Sequence, residues 1–351
     1  MTLQTTKPTQ MRLHSCVLSQ PKRDKVHEKL KNRAYVTVKI DNRPDNAAVR
    51  VANVRENGQP RRNTQLLGKY PIIVAISNLP LQAYAEVTDI RLGLLGAGPE
   101  VFAYEISVLK LALHHADAKS QLTIVDLEMP QERALVELET GRADFNVFFT
   151  GFSANREKRF HQIDIPLSRG ILGHRIFITT KAFLDDLAET RTLGSLKKFA
   201  VVGSGTGWPD TEIFQANGFH VVASDYESLW RMLSAGRINT FNRGIHEAFV
   251  EHQQRSQQDP ELVVDPSFMI RYRFDYLFYV RKNNQRVAEI IETGLRNAYE
   301  NGAFLEHFNS HPMIQKAMMS TAAHERLIFD IDNPLLTNRQ RNIPEAYWHQ
   351  Y

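Results

Sequence analysis

Apolar and polar positions along the middle of the chain follow two alternating periods. Short runs of consecutive apolar residues, which predict buried strands, stand at 88–95, 122–127 and 145–150. Between these runs, apolar residues recur every three or four positions, as on one face of a helix, at 101–115 and 131–140. This β-α-β-α-β order predicts a doubly wound α/β unit, in which a ligand binds at the carboxyl ends of the strands.

The same order of elements returns in the second half of the chain. Strands are predicted at 198–203, 220–223 and 238–241, with a helix that begins at Pro209 and further helices at 226–235 and 245–256. A further helical region at 287–309 is broken near Gly302. The repetition indicates a second α/β unit built like the first.

Two segments connect the predicted units. A strand at 173–179 leads out of the first unit, and strand-like residues between 262 and 280 lead back to it. The fold class is therefore α/β, with two doubly wound lobes joined by two crossover segments, as in a clamshell. We assign residues 86–180 and 273–351 to lobe 1 and residues 181–272 to lobe 2.

Charge is unevenly distributed along the chain. Of the 43 Lys and Arg residues, 15 stand in residues 1–69, together with only 5 of the 39 Asp and Glu residues. The rest of the chain therefore holds 28 basic against 34 acidic residues. An acidic body lacks the electrostatic footprint of nucleic-acid binding, so no nucleic-acid partner is expected. The single cysteine, Cys16, excludes a disulfide framework.

The segment 61–85 has the three parts of an export signal in the right order. Basic residues at 61–69 precede a short apolar core at 70–81 and an A-x-A cleavage site at 83–85. The alternative for the apolar core is a buried strand. An export signal predicts a periplasmic protein that begins near residue 86. The basic, turn-rich residues 1–60 are then disordered or lie outside the native protein.

Candidate binding residues follow the third predicted strand, in the segment GRADFNVFFTGFSANREKRF that begins at Gly141. The strand breaks at Gly151, Ser153 is a favourable N-cap for the next helix, and Arg156 lies in that helix's first turn. Backbone N–H groups at a helix start, together with a guanidinium fork, suit a ligand carboxylate. The alternative is a solvated helix start with a surface arginine.

Several segments together resemble the type II periplasmic solute-binding proteins, related to the amino-acid-binding (family 3) components of ABC transporters. They are GRADFNVFFTGFSANRE followed by IDIPLSRG, then GSGTGWPDT, and finally SAGRINTF, which starts at Ser234. The resemblance covers about residues 88–310. It implies a monomeric, non-enzymatic binding protein without cofactor or metal, which passes a small ligand to a membrane permease or a sensor.

The resemblance also implies roles for individual residues. Ser153 and Arg156 match the Ser/Thr and arginine that hold a ligand carboxylate in this family. Thr206 and Gly207 match the second-lobe loop that supplies hydroxyl and backbone donors. Trp208 follows them in a loop before a proline, and we expect it to line the pocket.

One departure from the family pattern concerns the ligand's charge. Amino-acid binders of this family carry an acidic residue near the position where this chain has Arg243. Because a second arginine would repel an ammonium group, the sequence favours an anionic ligand, such as a dicarboxylate. The alternative for Arg243 is a structural ion pair with Glu247 on the next helical turn.

Motifs for other chemistry are missing from the sequence. It contains no nucleotide-phosphate loop, no G-x-S-x-G and no H-E-x-x-H. Two other functions stay open, since a fold alone does not decide function. One is a periplasmic, dehydratase-like lyase with Glu100, Glu105 or Asp144 as base, and the other is a stand-alone ligand-sensing domain.

Overall fold

The computed structural model describes residues 35–40, 49–54, 87–322 and 326–349 of the chain. The chain divides into two compact units, residues 1–81 and 82–351. In the first unit, strands β1 (Tyr35–Ile40) and β2 (Val49–Val54) pair antiparallel, which the sequence analysis did not predict. The predicted export signal at 61–85 lies outside the described residues.

The second unit alternates strands and helices along its length. Its strands are β3 (Thr88–Leu95), β4 (Ser120–Leu127), β5 (Val147–Gly151), β6 (Phe160–Gln162), β7 (His174–Thr180), β8 (Val201–Gly205), β9 (His220–Ser224), β10 (Thr240–Gly244), β11 (Leu262–Val264), β12 (Phe268–Arg271), β13 (Tyr276–Arg281) and β14 (Leu327–Asp330). Its helices are α1 (Ala103–His115), α2 (Gln131–Thr140), α3 (Ala154–Arg159), α4 (Lys181–Ala188), α5 (Leu193–Phe199), α6 (Pro209–Ala216), α7 (Tyr226–Ser234), α8 (Ile245–Arg255), α9 (Gln285–Glu300), α10 (Ala303–Ser310), α11 (Pro312–Ala322) and α12 (Asn338–Arg341). None of the helices in the described ranges is long and apolar enough to cross a membrane.

The strands of the second unit form two separate sheets. The first has the order β4-β3-β5-β13-β6, with β3 parallel to β4 and β5, and β13 antiparallel to β5 and β6. The second has the order β14-β12-β7-β10-β8-β9, and β11 also pairs with β7. We call the first sheet with its helices the first lobe, and the second sheet with its helices the second lobe. The predicted two-lobed α/β fold is confirmed.

The predicted lobe boundary is wrong at two strands. The sequence analysis placed residues up to 180 in the first lobe, but β7 pairs with β10 in the second sheet, with Phe241 opposite Ile178. It also placed 273–351 there, whereas β14 pairs with β12 in the second sheet. Residues 173–179 were predicted as a strand, but an apolar run does not identify the strand's partner. For the segment of β14 the sequence analysis predicted no strand.

The two sheets are connected by short crossover segments at 168–173 and 272–275. The segments approach closely at Gly173, whose carbonyl oxygen accepts a hydrogen bond from the Tyr272 backbone N–H at 3.1 Å. A Cβ at Gly173 would lie 2.0 Å from the Tyr272 carbonyl oxygen, so only glycine fits there. The buried carboxylate of Asp275 accepts hydrogen bonds from the backbone and hydroxyl of Ser168 and from the backbone of Gly170. It therefore links one crossover segment to the other.

Helices start where strands of both sheets end at their carboxyl edges. α3 follows β5, α6 follows β8, and α8 follows β10 directly. Ser153 caps α3 as predicted, because its hydroxyl accepts a hydrogen bond from the Arg156 backbone N–H at 3.3 Å. Pro209 is the first residue of α6, also as predicted. These helix starts bring the loops with the candidate residues to the boundary between the lobes.

Candidate functional site

Arg156 connects the two lobes at this boundary. Its Nη2 donates to the carbonyl oxygen of Gly207 in the second lobe at 2.9 Å, and to Oε1 of Glu132 at 3.3 Å. Its Nη1 donates to the carbonyl oxygen of Gly151 at 2.6 Å. The side chain is 3% exposed, which excludes the alternative of a surface arginine.

Burial lowers the pKa of Arg156 below its ordinary value, while the charges of Tyr279 and Glu132 act in the opposite direction. Glu132, by contrast, is 51% exposed. The guanidinium is thus a buried cation whose carboxylate partner is about half exposed to water. Because Glu132 is about half exposed, burial would not prevent a different carboxylate from taking its place beside Arg156.

Two other predicted residues, Thr206 and Gly207, lie in the loop after β8. Gly207 has a positive φ of 78°, and a Cβ there would lie 2.9 Å from the Glu132 side chain. Thr206 is exposed, and its backbone N–H donates to the Ser224 carbonyl oxygen at 2.9 Å. Of the two donor groups of Thr206, the hydroxyl is therefore the one that stays available for a ligand.

Trp208 and Arg243 lie together in the second lobe. The Trp208 ring is half-buried and stacks on Phe241, with 6.4 Å between ring centroids and 18° between planes. The Cζ atom of Arg243 lies 5.1 Å from the centroid of the Trp208 ring, a distance typical of a cation–π contact.

Arg243 is fully engaged with carboxylates. Its Nε lies 2.5 Å from Glu251 Oε2, and its Nη2 lies 2.7 Å from Glu251 Oε1 and 3.1 Å from Glu247 Oε2. The ion pair with Glu247 is the structural alternative weighed from the sequence. The expectation of an uncompensated second positive charge is therefore wrong, because two buried carboxylates offset it.

A third buried arginine, Arg175, was missed by the sequence analysis. Arg175 forms a salt bridge through Nη2 with Asp210 Oδ1, and its Nη1 lies 3.6 Å from Glu247 Oε2. Its Nε donates to the Tyr272 hydroxyl at 3.0 Å. The available signal was a charged residue directly before the apolar residues 176–178 of β7, since a charge in a core strand needs a partner.

Glu247 connects this buried charge cluster to the first lobe. The hydroxyl of Tyr276, on β13, donates to Glu247 Oε1 at 2.8 Å. Burial alone would raise the pKa of Glu247, but the charges of Arg243, His246 and Arg175 lower it to about 2. The carboxylate is therefore ionised throughout the physiological pH range.

A buried histidine–carboxylate pair also bridges the lobes. Nε2 of His246, on α8, is hydrogen-bonded to Oε1 of Glu105, on α1, at 3.0 Å, and both side chains are fully buried. Burial would lower the pKa of His246, whereas the hydrogen bond and charge of Glu105 raise it above its ordinary value. Glu105, a candidate base in the sequence, thus has a structural partner.

This pair predicts a pH-dependent stability. The contribution of charged His246 is fully present below the ordinary imidazole pKa of about 6.5 and is lost as the pH rises through the raised pKa. Between pH 6 and 9 the free energy of unfolding should therefore fall more in the wild type than in His246→Gln. The difference should reach at most about 1.4 kcal/mol per pH unit. Urea unfolding at each pH measures it.

The exposed His220 on β9 supplies the control for this experiment. His220→Gln should follow the wild-type pH profile, because the substitution leaves the buried pair of His246 and Glu105 unchanged. Identical profiles for the wild type and His246→Gln would contradict the prediction.

Two surface pockets lie away from the predicted residues. One, of about 560 Å³, is in the second lobe and includes Trp230, Arg231 and Arg255. The other, of about 360 Å³, includes Arg169 and Trp348. Within the described ranges, no group of three or more His, Cys, Asp or Glu residues is placed to hold a metal ion. None of the six predicted residues lines either pocket, and of these residues Arg156 and Gly207 contact each other across the lobe boundary.

The chain is similar to known proteins in its fold but not in its sequence. No family model and no curated protein matches the sequence. Among solved structures, the chain is similar to an ancestral arginine-binding protein bound to arginine, with 16% identity and a TM-score of 0.47, over 63% of this chain and 96% of that one. It is also similar to a periplasmic binding protein of Salmonella typhimurium with high arginine specificity, with 14% identity and a TM-score of 0.45, over 64% and 98% of the two chains.

A third similar structure is an amino acid ABC transporter substrate-binding protein from Streptococcus pneumoniae bound to L-arginine. It shows 14% identity and a TM-score of 0.45, over 63% of this chain and 92% of that one. These three structures are of arginine-binding or amino-acid substrate-binding proteins.

Proposed function

We propose that this protein is a solute-binding protein that captures a small, carboxylate-bearing metabolite between its two lobes without converting it. The observation that carries this proposal is the contact of Arg156, from the first lobe, with the carbonyl oxygen of Gly207 in the second. A buried guanidinium that spans two lobes binds a carboxylate through charge-assisted, bidentate hydrogen bonds.

Arg156 donates hydrogen bonds to acceptors that a ligand can replace. The Gly207 carbonyl oxygen is a neutral acceptor, and the Glu132 carboxylate is about half exposed. A ligand carboxylate that displaces both would be shielded from water when the lobes close, which strengthens its interaction with the guanidinium. Closure of two lobes around a ligand is a common movement of two-domain proteins.

The other predicted residues take supporting roles in this proposal. Ser153 orients the first turn of α3 by capping it. The Thr206 hydroxyl and the Gly207 backbone are donors on the second lobe, and Trp208 lines the pocket. Arg243 forms part of the wall, and because its charge is offset, the ligand needs a carboxylate but no second negative group.

Delivery and location complete the proposal. The ligand-bound, closed protein would be recognised by an ABC-type permease or by a sensor, as a monomer in the periplasm. The export signal predicted from the sequence at 61–85 supports this location. Sequencing the N-terminus of the secreted protein tests it, since a mature protein that retains residues 1–60 would contradict cleavage after residue 85.

Arg156→Ala should weaken ligand binding by about 2 kcal/mol or more, roughly a 30-fold loss of affinity. The physical reason is that the variant leaves the buried ligand carboxylate without a partner. A thermal-shift screen of organic acids and amino acids on the full chain identifies the ligand, together with mass spectrometry of whatever co-purifies. Calorimetry on the wild type and the variant then measures the loss.

Arg159→Ala is the matched control for this substitution. Arg159 lies in the same helix, its Nε contacts Glu139 Oε2 at 2.9 Å and its Nη1 lies 3.7 Å from Glu132 Oε2, but no hydrogen bond or ion pair joins it to the second lobe in the described residues. We expect its affinity to stay within about twofold of the wild type. An unchanged affinity of Arg156→Ala would contradict the assigned site, and consumption of the bound ligand would contradict a purely binding role.

A further inference from the structure

The guanidinium of Arg243 is enclosed by aromatic rings of the second lobe. Its Cζ atom lies 5.1 Å from the ring centroid of Trp208, 5.4 Å from that of Phe241 and 5.9 Å from that of Tyr226. All three distances fall within the range at which a ring face attracts a cation. Arg243 is 2% exposed, so water does not compete for these contacts.

Two carboxylates complete the enclosure. Glu251 accepts from both Nε and Nη2 of Arg243, in the fork geometry that matches a guanidinium. Glu247 lies 3.1 Å from Nη2 on the adjoining side. Both carboxylates are fully buried, and the Tyr226 hydroxyl donates to Glu251 Oε1 at 2.9 Å, which holds that carboxylate in place.

We propose that these three rings and two carboxylates form a guanidinium-binding site, and that the chain's own Arg243 is its built-in occupant. We call this set of residues the cage: Trp208, Tyr226, Phe241, Glu247 and Glu251. The cage has the chemistry that recognises a guanidinium or alkylguanidinium cation, with π-faces around the plane and paired acceptors at its edge. Shortening Arg243 should open the cage to a free cation of that class.

The position of the cage gives Arg243 a part in ligand selection. Trp208 directly follows Gly207, the residue that Arg156 contacts, and Glu247 accepts a hydrogen bond from Tyr276 of the first lobe. The cage therefore adjoins the proposed ligand site. This step rests on the proposed function: because Arg243 already fills the cage, a ligand's own guanidinium or ammonium group has no place there. Arg243 is thus a specificity-determining residue that excludes cationic ligands.

Another arginine of the same lobe shows what distinguishes the cage. Arg255 lies over the rings of Tyr226 and Trp230, at 5.5 and 5.3 Å, and pairs with Glu227. Arg255 is, however, 25% exposed and Glu227 is 51% exposed. Removing Arg255 leaves a site open to water, where an ion pair contributes little. It is therefore the matched control.

The test is chemical rescue of Arg243→Ala with methylguanidinium chloride, followed by thermal unfolding of the full chain. We expect a saturable rise in Tm of about 3 °C or more at low millimolar methylguanidinium, relative to equal sodium chloride. The wild type, Arg255→Ala and Arg243→Lys should show no such rise, since their cages are filled. The same response in Arg255→Ala, or none in Arg243→Ala, would overturn the proposal.

Arg243→Ala leaves two buried carboxylates without their cation and could fail to fold. In that case the double variant Arg243→Ala with Glu251→Gln keeps the rings and one carboxylate, and the same rise in Tm is expected. If neither variant folds in sodium chloride, methylguanidinium should restore soluble, folded protein during refolding. Failure to do so would overturn the proposal.

A second arm tests selection. The wild type should bind L-arginine at least tenfold more weakly than Arg243→Ala does, or than the double variant if that is the one that folds. Equal affinities would overturn the role in selection. Methylguanidinium rescue does not require Arg156, so it would survive a failure of the proposed function. Conversely, loss of carboxylate binding in Arg156→Ala would stand even if rescue failed.

Discussion

Replacing Arg175 with methionine is expected to lower the free energy of unfolding by about 3–5 kcal/mol. Arg175 is 2% exposed and forms a salt bridge with the buried Asp210, while Glu247 lies 3.6 Å from its Nη1. Methionine has a similar length but no charge, so both carboxylates would lose a buried cation. The cost arises from the uncompensated carboxylates and not from lost packing. Urea unfolding at neutral pH measures the change.

A surface arginine provides the comparison for this prediction. Arg296 is 55% exposed and pairs with Glu292 one helical turn earlier. Arg296→Met should change the free energy of unfolding by less than about 1 kcal/mol, because exposed ion pairs contribute little. A loss of under about 1 kcal/mol for Arg175→Met as well would contradict the large cost that we assign to leaving the buried carboxylates without their cation.

Replacing Asp275 with alanine is expected to cost about 3 kcal/mol or more, since several buried donors would lose their acceptor at once. Its carboxylate accepts from the backbone N–H groups of Ser168, Gly170 and Tyr276 and from the Ser168 hydroxyl. These donors lie in or beside the two crossover segments. The substitution should therefore loosen the connection between the lobes, and urea unfolding reports the loss of stability.

Two further variants make the Asp275 prediction sharper. Asp275→Asn keeps one acceptor oxygen and should lose less than Asp275→Ala does. Asp144→Ala removes a carboxylate that is 88% exposed and should be neutral within about 0.5 kcal/mol. A loss for Asp275→Ala no larger than that of Asp144→Ala would contradict the linking role of Asp275.

Local patterns in the sequence were sufficient for most of the elements. Strands β3 and β4 follow from apolar runs, and the break between α9 and α10 follows from Gly302, whose φ is +84°. The cap of α3 by Ser153 and the start of α6 at Pro209 follow from residue type alone. Each of these features depends on neighbours within a few positions, so the order of residues contains the necessary information.

The partners of the strands were beyond the reach of these patterns. β7 was predicted as a strand without its partner, and β14 was not predicted as a strand. Only the tertiary structure places both in the second sheet. An apolar run records that a strand is buried. It does not record which strand lies beside it, because pairing depends on contacts between residues that are distant in the chain.

The candidate site, like the fold, was predicted only in part from the sequence. The sequence alone determined a two-lobed α/β chain with an arginine at the start of the helix after β5 and a glycine-rich loop after β8. The tertiary structure decided that Arg156 is buried against Gly207 and that Arg243 is enclosed and neutralised by Glu247 and Glu251. The physical reason is that the state of a charge depends on its burial and on its nearest opposite charge, which the fold creates.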